Sequence, residues 1–363
     1  MNEYTYWMAF ASAENIYTRR KNEILAKIHS MQISIADFFT ASDVWAKDFG
    51  LSENEVAILR KEKEQLGNYS FAVEDLLEQG YRLIPIFSED YPQHLKLTLK
   101  YQSPVLLYAY GNVTLLNMSS VAIVGCRKAS GKSLEFADNV AKKSVGEGLV
   151  VVSGFAKGVD RQALDSAVQN GGNSIVILPQ GITTFGTGFR SLYREISSGK
   201  VLVISAFRPT AGWDKGLAMA RNPYIYGMAE KIYVAESDFS GGTYSGVQDG
   251  LRKKREIYVR AAEDGENNAN NELIRQGALP VDMNGNYLEP AMPQQDEKAR
   301  IKEILDNGEY TAKELALSLF NDDSRKTQSH VHQLLNDVGA VIVNGKKSPH
   351  KYSLRTFTDG VLF

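Results

Sequence analysis

The residues that are best suited to bind an anion lie in a glycine-containing loop at positions 125–133. Gly125 and Cys126 are followed there by Arg127 and Lys128, and Ser130 stands before a second glycine. Glycines let a backbone approach a phosphate, and a helix that begins after such a loop presents free N–H groups to an anion. The loop therefore predicts an anion site, and the alternative is an ordinary glycine turn with solvated cations.

The loop fits neither of the two common nucleotide-binding motifs. A Walker A loop has four residues between its first glycine and Gly-Lys-Ser, whereas five stand between Gly125 and Gly131 here. The dinucleotide fingerprint has its first two glycines two positions apart, and Arg127 occupies that position. The sequence thus predicts an anion site without a standard mononucleotide or dinucleotide loop.

Further stretches repeat this combination of glycines with polar or basic side chains. The loops at 153–160 and 238–245 also follow apolar runs and precede helical patterns, and Asp160 is suited to accept hydrogen bonds from backbone near its helix start. Arg221 and Asn222 stand before an apolar helical stretch, where a surface arginine is the alternative interpretation. The candidate phosphate-binding residues in these stretches are Gly154, Phe155, Lys157, Gly158, Arg221, Asn222, Ser240, Gly241, Gly242 and Thr243.

Catalytic and metal-binding patterns are weak. Cys126 stands beside Arg127 and Lys128 near a helix start, which are conditions that can lower the pKa of a thiol, but no histidine is near it in sequence. His330 and His332 are two positions apart on a predicted helix and so point to different faces. We therefore predict no catalytic residue, no metal and no cofactor.

The elements that must position these loops are short apolar runs rich in β-branched residues. Most are separated by helical or mixed stretches, which is typical of a parallel sheet buried on both faces. The fold class predicted is α/β, a Rossmann-like doubly wound sheet that is mostly parallel, with ligands at the carboxyl ends of its strands. The runs lie at 81–87, 104–111, 120–125, 149–154, 173–179, 200–206, 231–235 and 255–260.

Three domains are predicted. Residues 1–78 have helical apolar spacing, and 79–285 hold the sheet. Residues 262–296 lack periodicity and are interpreted as a linker with a short helix near 270–277. Residues 294–357 combine three helical stretches with a hairpin, which is typical of a winged helix. A protein–protein module of the same fold is the alternative for this last domain.

Composition restricts the classes of protein further. The chain has 363 residues, a net charge of −2, one cysteine and no apolar run of the length that a membrane helix needs. A single thiol allows no intramolecular disulfide and fits a reducing cytoplasm. We therefore expect a cytoplasmic protein without membrane insertion.

Four segments together resemble the DNA-processing protein A family, also called Smf. Residues 121–127 read Val-Ala-Ile-Val-Gly-Cys-Arg, and 151–160 read Val-Val-Ser-Gly-Phe-Ala-Lys-Gly-Val-Asp. Arg-Asn at 221–222 with Gly-Met-Ala at 227–229, and Ser-Gly-Gly-Thr at 240–243, follow in the family's order. The similarity covers nearly the whole chain. Two departures stand out, because Cys126 replaces the usual serine and Pro223 replaces an arginine.

The resemblance implies an N-terminal domain of the sterile-alpha-motif type, a Rossmann-like domain and a winged helix. It implies a protein that binds and protects incoming single-stranded DNA, forms a homodimer through the Rossmann-like domain and loads RecA in natural transformation and recombination. The basic residues that match the family's DNA pocket are Arg127, Lys157 and Arg221. The alternative functions are a nucleotide-binding sensor or phosphoribohydrolase-like enzyme on the same fold, and a structural adaptor acting through the winged helix.

Overall fold

The computed structural model describes residues 1–289, 294–320, 322–345 and 347–354. The chain divides into two compact units, Met1–Leu288 and Glu289–Phe363. The first unit includes both the helical N-terminal segment and the main sheet, so a domain boundary near residue 78 stays a prediction. Residues 355–357 of the predicted winged-helix range lie outside the described residues.

The N-terminal segment is helical, as its apolar spacing predicts. Ser34 and Ser52 each begin a helix with a capping box, in which the serine side chain and the third helical residue satisfy each other's backbone N–H groups. In the interior, the Trp45 ring stacks on Phe38 at 5.2 Å and donates its indole N–H to the Phe38 carbonyl. The sterile-alpha-motif assignment stays a prediction. The helices are α1 (Glu3–Ser12), α2 (Thr18–Ser30), α3 (Ile35–Thr40), α4 (Trp45–Phe49), α5 (Glu53–Glu64) and α6 (Leu66–Glu78).

A nine-stranded sheet forms the centre of the first unit and confirms the predicted fold class. Its strands are β1 (Arg82–Pro85), β2 (Leu106–Gly111), β3 (Ser120–Val124), β4 (Val150–Ser153), β5 (Ser174–Ile177), β6 (Val201–Ser205), β7 (Lys231–Val234), β8 (Ile257–Arg260) and β9 (Leu279–Val281). Their order across the sheet is β1-β2-β6-β5-β4-β3-β7-β8-β9. The pairs from β6 to β9 are parallel, and β2 pairs antiparallel with both β1 and β6.

Helices cover both faces of this sheet. Along β3, Val121 and Ile123 pack with the helices at Gly131–Gly146 and Val159–Gln169, whereas Ala122 and Val124 belong to the core on the opposite face. This alternation is why the strand is apolar from Val121 to Val124. No helix in the described part of the chain is long and apolar enough to cross a membrane. The helices of the sheet region are α7 (Gln93–Leu99), α8 (Gly131–Gly146), α9 (Val159–Gln169), α10 (Gly186–Ser191), α11 (Tyr193–Ser197), α12 (Lys215–Met228), α13 (Gly242–Arg252) and α14 (Asn270–Arg275), with 3₁₀ turns at Lys100–Gln102, Val113–Asn117 and Ile182–Thr184.

The prediction of a linker at 262–296 was wrong for its first part, although the short helix expected there is α14. Strand β9 pairs in parallel with β8 and extends the sheet. Asn270 is fully buried and donates to the carbonyls of Ala235 and Arg260 at 3.0 and 2.8 Å. The strand escaped detection because it has three residues, contains Pro280 and buries only Val281 completely. Such an edge strand lacks the alternating pattern that reveals a strand.

The second unit combines three helices with a small antiparallel sheet. The hairpin of β11 and β12 was expected, and β10 adds a third strand, in the order β10-β12-β11. Ile301, Leu315 and Val331 come from different helices and form the centre of its core. The winged-helix assignment stays a prediction. The elements are α15 (Gln294–Asp306), β10 (Tyr310–Thr311), α16 (Ala312–Phe320), α17 (Arg325–Asp337), β11 (Val341–Ile342) and β12 (Lys351–Ser353).

Candidate functional site

A cleft of about 590 Å³ lies beside the end of β3, where the order of the strands across the sheet reverses. Strands β4, β5 and β6 follow one another on one side of β3, and β7, β8 and β9 follow on its other side. Doubly wound sheets bind ligands at this point, outside the carboxyl ends of the strands. The predicted residues that line the cleft are Gly125, Cys126, Arg127, Lys128, Arg221, Asn222, Ser240, Gly241, Gly242 and Thr243.

Glycines bring the loops after β3 and β4 into backbone contact. Gly158 has a φ of +84°, and a Cβ there would lie 2.6 Å from the carbonyl oxygen of Cys126 and 2.7 Å from that of Arg127. A Cβ on Gly125 would lie 2.5 Å from a methyl group of Val159. Both positions therefore require glycine, and Gly158 positions the segment that carries Arg127.

Arg221 lies inside helix α12, and only 5% of it is exposed, which excludes the surface-arginine alternative. Its guanidinium donates to the carbonyl of Ile177, and Gly154 provides the space for it because a Cβ there would overlap the guanidinium. Burial lowers the pKa of Arg221, an effect that the buried Asp160 carboxylate opposes. Arg221 thus lies at the floor of the cleft as a fixed cation.

Asp160 contributes the balancing charge at this floor. Its carboxylate accepts the backbone N–H of Gly154 at 3.2 Å, as its place near a helix start predicted. Burial raises its pKa, although Arg221 and the backbone N–H groups of Ala156 and Gly154 act in the opposite direction. Two donors near it still have no partner in the part of the chain that the structure describes, the Arg221 Nε and the Tyr226 hydroxyl. Both atoms are buried, so the floor of the cleft contains polar groups whose hydrogen-bonding capacity the fold does not satisfy.

The N-terminus of α8 is occupied by a carboxylate of the protein itself, contrary to the expectation that it faces an external anion. Glu236, which follows β7, accepts the Ser130 backbone N–H at 3.0 Å and the hydroxyls of Ser130 and Ser133, both at 2.6 Å. Burial alone would raise the pKa of Glu236, but these hydrogen bonds lower it. Ser130 therefore acts as a helix cap and an anchor for Glu236.

The helix start that remains open belongs to α13. Gly241 stands at its N-cap position with a φ of 98° and makes no side-chain cap. The first N–H groups of an α-helix have no partner within the helix, and they carry a partial positive charge. Because Gly241, Gly242 and Thr243 line the cleft, this terminus can receive a phosphate oxygen.

Five predicted residues do not line the cleft, namely Ser130, Gly154, Phe155, Lys157 and Gly158. Gly154 and Gly158 support the floor and the first loop from behind, as described above. Lys157 is exposed on the loop after β4. Phe155 has a φ of 60° and packs edge-on against Phe185, with the guanidinium of Arg161 over its ring at 4.8 Å.

Several lining residues were missed. Trp213 lies in the connection between β6 and α12, and Lys215 and Met219 lie in the first turns of α12, where no motif is recognisable. Asp238 belongs to the predicted loop at 238–245 but was not chosen as a candidate. Asp214 caps α12 by accepting the backbone N–H groups of Gly216 and Leu217. An aspartate before a helical pattern was the available signal for this helix start. The missed lining residues with charged or large exposed side chains include Trp213, Lys215, Met219 and Asp238.

The cleft is locally basic although the chain has a net charge of −2. Arg127, Lys128, Lys215 and Arg221 line it, against the acids Asp160 and Asp238. Another cation of the first loop is already neutralised, because the Lys132 ammonium lies 2.5 Å from the carboxylate of Glu263. The guanidinium of Arg127 instead lies over the indole of Trp213, 5.8 Å from the ring centroid.

Cys126 is not an activated thiol, contrary to the conditions that its basic neighbours suggested. Burial, followed by the nearby charges of Glu236 and Asp238, raises the pKa of its thiol to about 12 from 9.0. Because the thiolate is the reactive form, we expect the native protein to react with iodoacetamide at mildly alkaline pH about two to three orders of magnitude more slowly than the unfolded chain. Equal alkylation rates before and after unfolding in urea would contradict this.

Comparison with known proteins agrees with the resemblance seen in the sequence. A family model described as DNA recombination-mediator protein A matches residues 82–290. DNA processing protein DprA of Streptococcus pneumoniae is 30% identical over 217 residues, which cover 58% of this chain and 76% of that protein. Protein Smf of Escherichia coli is 29% identical over 213 residues, which cover 56% of this chain and 55% of that protein.

The fold is also that of a solved relative. The X-ray structure of DNA processing protein A from Streptococcus pneumoniae matches with a TM-score of 0.64 at 24% identity, over 76% of this chain and 94% of that one. At this identity the match bears on the fold alone. The family model itself covers more than half of the sequence, including β1 to β9 and every residue of the cleft. The chain therefore belongs to the DNA recombination-mediator protein A family.

Proposed function

We propose that this chain binds single-stranded DNA in the cleft, protects the incoming strand and loads RecA onto it in natural transformation and recombination. The observation that carries the proposal is the locally basic cleft, in which the exposed Arg127 and Lys128 lie on the first loop and the buried Arg221 lies at the floor. Arginine and lysine side chains bind phosphate through charge-assisted hydrogen bonds. Membership of the family supports DNA as the source of that phosphate.

The arrangement of charges supports a strand rather than an isolated anion. Arg221 lies at the floor, whereas Arg127 and Lys128 are exposed on the first loop and α13 presents its open N-terminus. Cations at different depths, together with backbone N–H groups, can contact successive phosphates of one strand.

We further propose a binding role without catalysis, in the cytoplasm, with the chain acting as a homodimer through the sheet-containing unit and with RecA as its protein partner. The high pKa of Cys126 supports the absence of a nucleophile at the cleft. The residues after Thr243 include no glutamate of the kind that phosphoribohydrolase chemistry uses, which also favours binding over hydrolysis. The homodimer and RecA follow from the family resemblance.

Arg127→Ala tests the proposal against a matched control. We expect the affinity for fluorescently labelled oligothymidylate, measured by anisotropy, to fall about tenfold or more because a charged hydrogen-bond donor to phosphate is lost. The slope of log affinity against log salt should decrease by about 0.7. Lys132→Ala removes a cation of the same loop that is paired with Glu263, so it should leave binding nearly unchanged.

The same preparation separates the two classes of function. Isothermal titration with free nucleotides should give much weaker binding than oligothymidylate, because a mononucleotide occupies only part of the cleft. Tighter binding of a mononucleotide, or equal effects of Arg127→Ala and Lys132→Ala, would refute the proposal and favour the nucleotide-sensor alternative.

A further inference from the structure

We infer that Trp213 is a stacking platform for one unpaired base of the bound strand, and that this contact makes the cleft select single strands over duplex. The inference rests on the proposed function and deepens it by naming a base contact. Trp213 itself lies outside the four family-like segments, in the connection between β6 and α12.

The exposure of Trp213 is the first argument. The chain has three tryptophans, and Trp7 and Trp45 are 5% and 0% exposed in the helical segment, whereas Trp213 is 54% exposed. Trp213 lines the cleft beside Met219, which is 41% exposed. A large aromatic surface left in water at a ligand cleft is stabilised when an apolar or aromatic group of the ligand covers it.

The position of Arg127 is the second argument. Its guanidinium lies over the Trp213 ring, 5.8 Å from the ring centroid, so the cation and the indole are next to each other in the cleft. A guanidinium stacked on a ring keeps its N–H donors in its own plane, where they remain free to bind a phosphate. A nucleotide can therefore place its phosphate on Arg127 and its base on the uncovered part of the Trp213 ring.

The backbone holds this platform in place. Trp213 directly precedes Asp214, whose carboxylate accepts two N–H groups of the first turn of α12 at 2.6 and 3.2 Å. Trp213 therefore lies directly before the capped start of α12, the helix that also carries the buried Arg221. Such preorganisation reduces the entropy that binding would otherwise lose.

Other aromatic residues of the neighbouring segments present less free surface to a base. Tyr226 is 7% exposed, and Tyr244 donates its hydroxyl to Glu272 at 2.7 Å. Phe155 is covered by Phe185 and by the guanidinium of Arg161. Trp213 is thus the aromatic side chain, among the described lining residues, with a large exposed surface.

Base stacking also provides a reason for strand selectivity. Every base has an aromatic face, so stacking on Trp213 is independent of sequence. In a duplex the faces are already stacked on neighbouring base pairs, and only the phosphates are accessible to the cleft. Removal of the ring should therefore weaken the binding of single strands more than the binding of duplex.

The test uses the full chain, oligothymidylate and an oligonucleotide of equal length whose sugars lack bases. We expect Trp213→Ala to weaken oligothymidylate binding about 5- to 150-fold, and Trp213→Phe to restore a substantial part of that affinity. The abasic strand should bind the wild type and Trp213→Ala with similar affinity. Tryptophan fluorescence of the wild type should be quenched by oligothymidylate, because the other two tryptophans are buried.

Phe71→Ala is the matched control, because it removes a 75% exposed aromatic ring from α6 and should not change binding. Equal losses of oligothymidylate and abasic affinity in Trp213→Ala would overturn the inference, as would an unchanged affinity for oligothymidylate. Either result leaves the proposed function standing if Arg127→Ala still weakens binding. A wild-type chain that binds no oligothymidylate would refute both proposals together.

Discussion

Glu266→Gln is expected to lower the free energy of unfolding by about 3 kcal/mol, because it leaves a buried cation without its counter-charge. The side chain of Arg260 is 1% exposed, and its guanidinium binds both carboxylate oxygens of Glu266, at 3.0 and 2.5 Å. Glutamine keeps the size of the side chain, but its NH₂ group cannot accept a hydrogen bond from the Arg260 guanidinium, and it carries no negative charge. Urea unfolding of the wild type and the variant at neutral pH measures the difference.

The same ion pair predicts a pH dependence. Hydrogen bonds from Arg260 lower the pKa of Glu266 to about 2 from 4.5, although burial acts in the opposite direction. A carboxyl group whose pKa is lower in the folded state stabilises the fold above its unfolded pKa and loses that contribution as the pH falls. The gap in stability between wild type and Glu266→Gln should therefore narrow as the pH decreases from 4.5 to about 2.

Glu263→Gln provides the control for both experiments. Its carboxylate pairs with Lys132, but its side chain is 62% exposed and that of Lys132 is 47% exposed. Exposed ion pairs contribute little, so this variant should unfold like the wild type. Equal free energies of unfolding of the two glutamine variants would show that the pairing of Arg260 with Glu266 does not stabilise the fold more than the exposed pair does.

Gly158→Ala is expected to lower the free energy of unfolding by about 2–4 kcal/mol and to reduce oligothymidylate affinity severely. Alanine is strained at a φ of +84°, and its Cβ would lie within 2.7 Å of the carbonyl oxygens of Cys126 and Arg127. Those atoms are backbone, so relief requires the loop after β3 to move. Movement of that loop displaces Arg127 from its place over Trp213.

Gly171→Ala separates backbone strain from steric overlap. Gly171 also has a φ of +84°, but nothing lies within 4 Å of its Cβ position. Strain alone should cost about 1–2 kcal/mol there and leave DNA binding unchanged. Anisotropy and urea unfolding of the two variants give the comparison. Equal stability and equal binding would show that contact between the first two loops does not position Arg127.

Much of the fold follows from local patterns. The β-branched runs that become β3 to β8 are largely buried on both faces, so each has a continuous apolar stretch that is recognisable without its neighbours. The glycine loops are recognisable for a similar reason, since each lies between a strand and the helix that follows it. Strand β9 was missed because an edge strand of three residues with a proline has no such pattern.

The candidate anion-binding loops show what sequence and tertiary structure each contribute. By itself, the sequence determined the doubly wound sheet, the family, and the loops after β3, β4 and β7 as the candidate site for a ligand. Residue type and spacing along one segment are sufficient for these, because a strand followed by a glycine and a helix start is a local arrangement.

Only the tertiary structure decided which groups in those loops are available to a ligand. Glu236, 106 positions after Ser130, occupies the helix start that sequence favoured and leaves that of α13 open. Arg221 is buried and Trp213 lies under Arg127, although neither contact has a signature in its own segment. Whether a donor is free or an aromatic face exposed depends on what packs against it, and those partners come from distant parts of the chain.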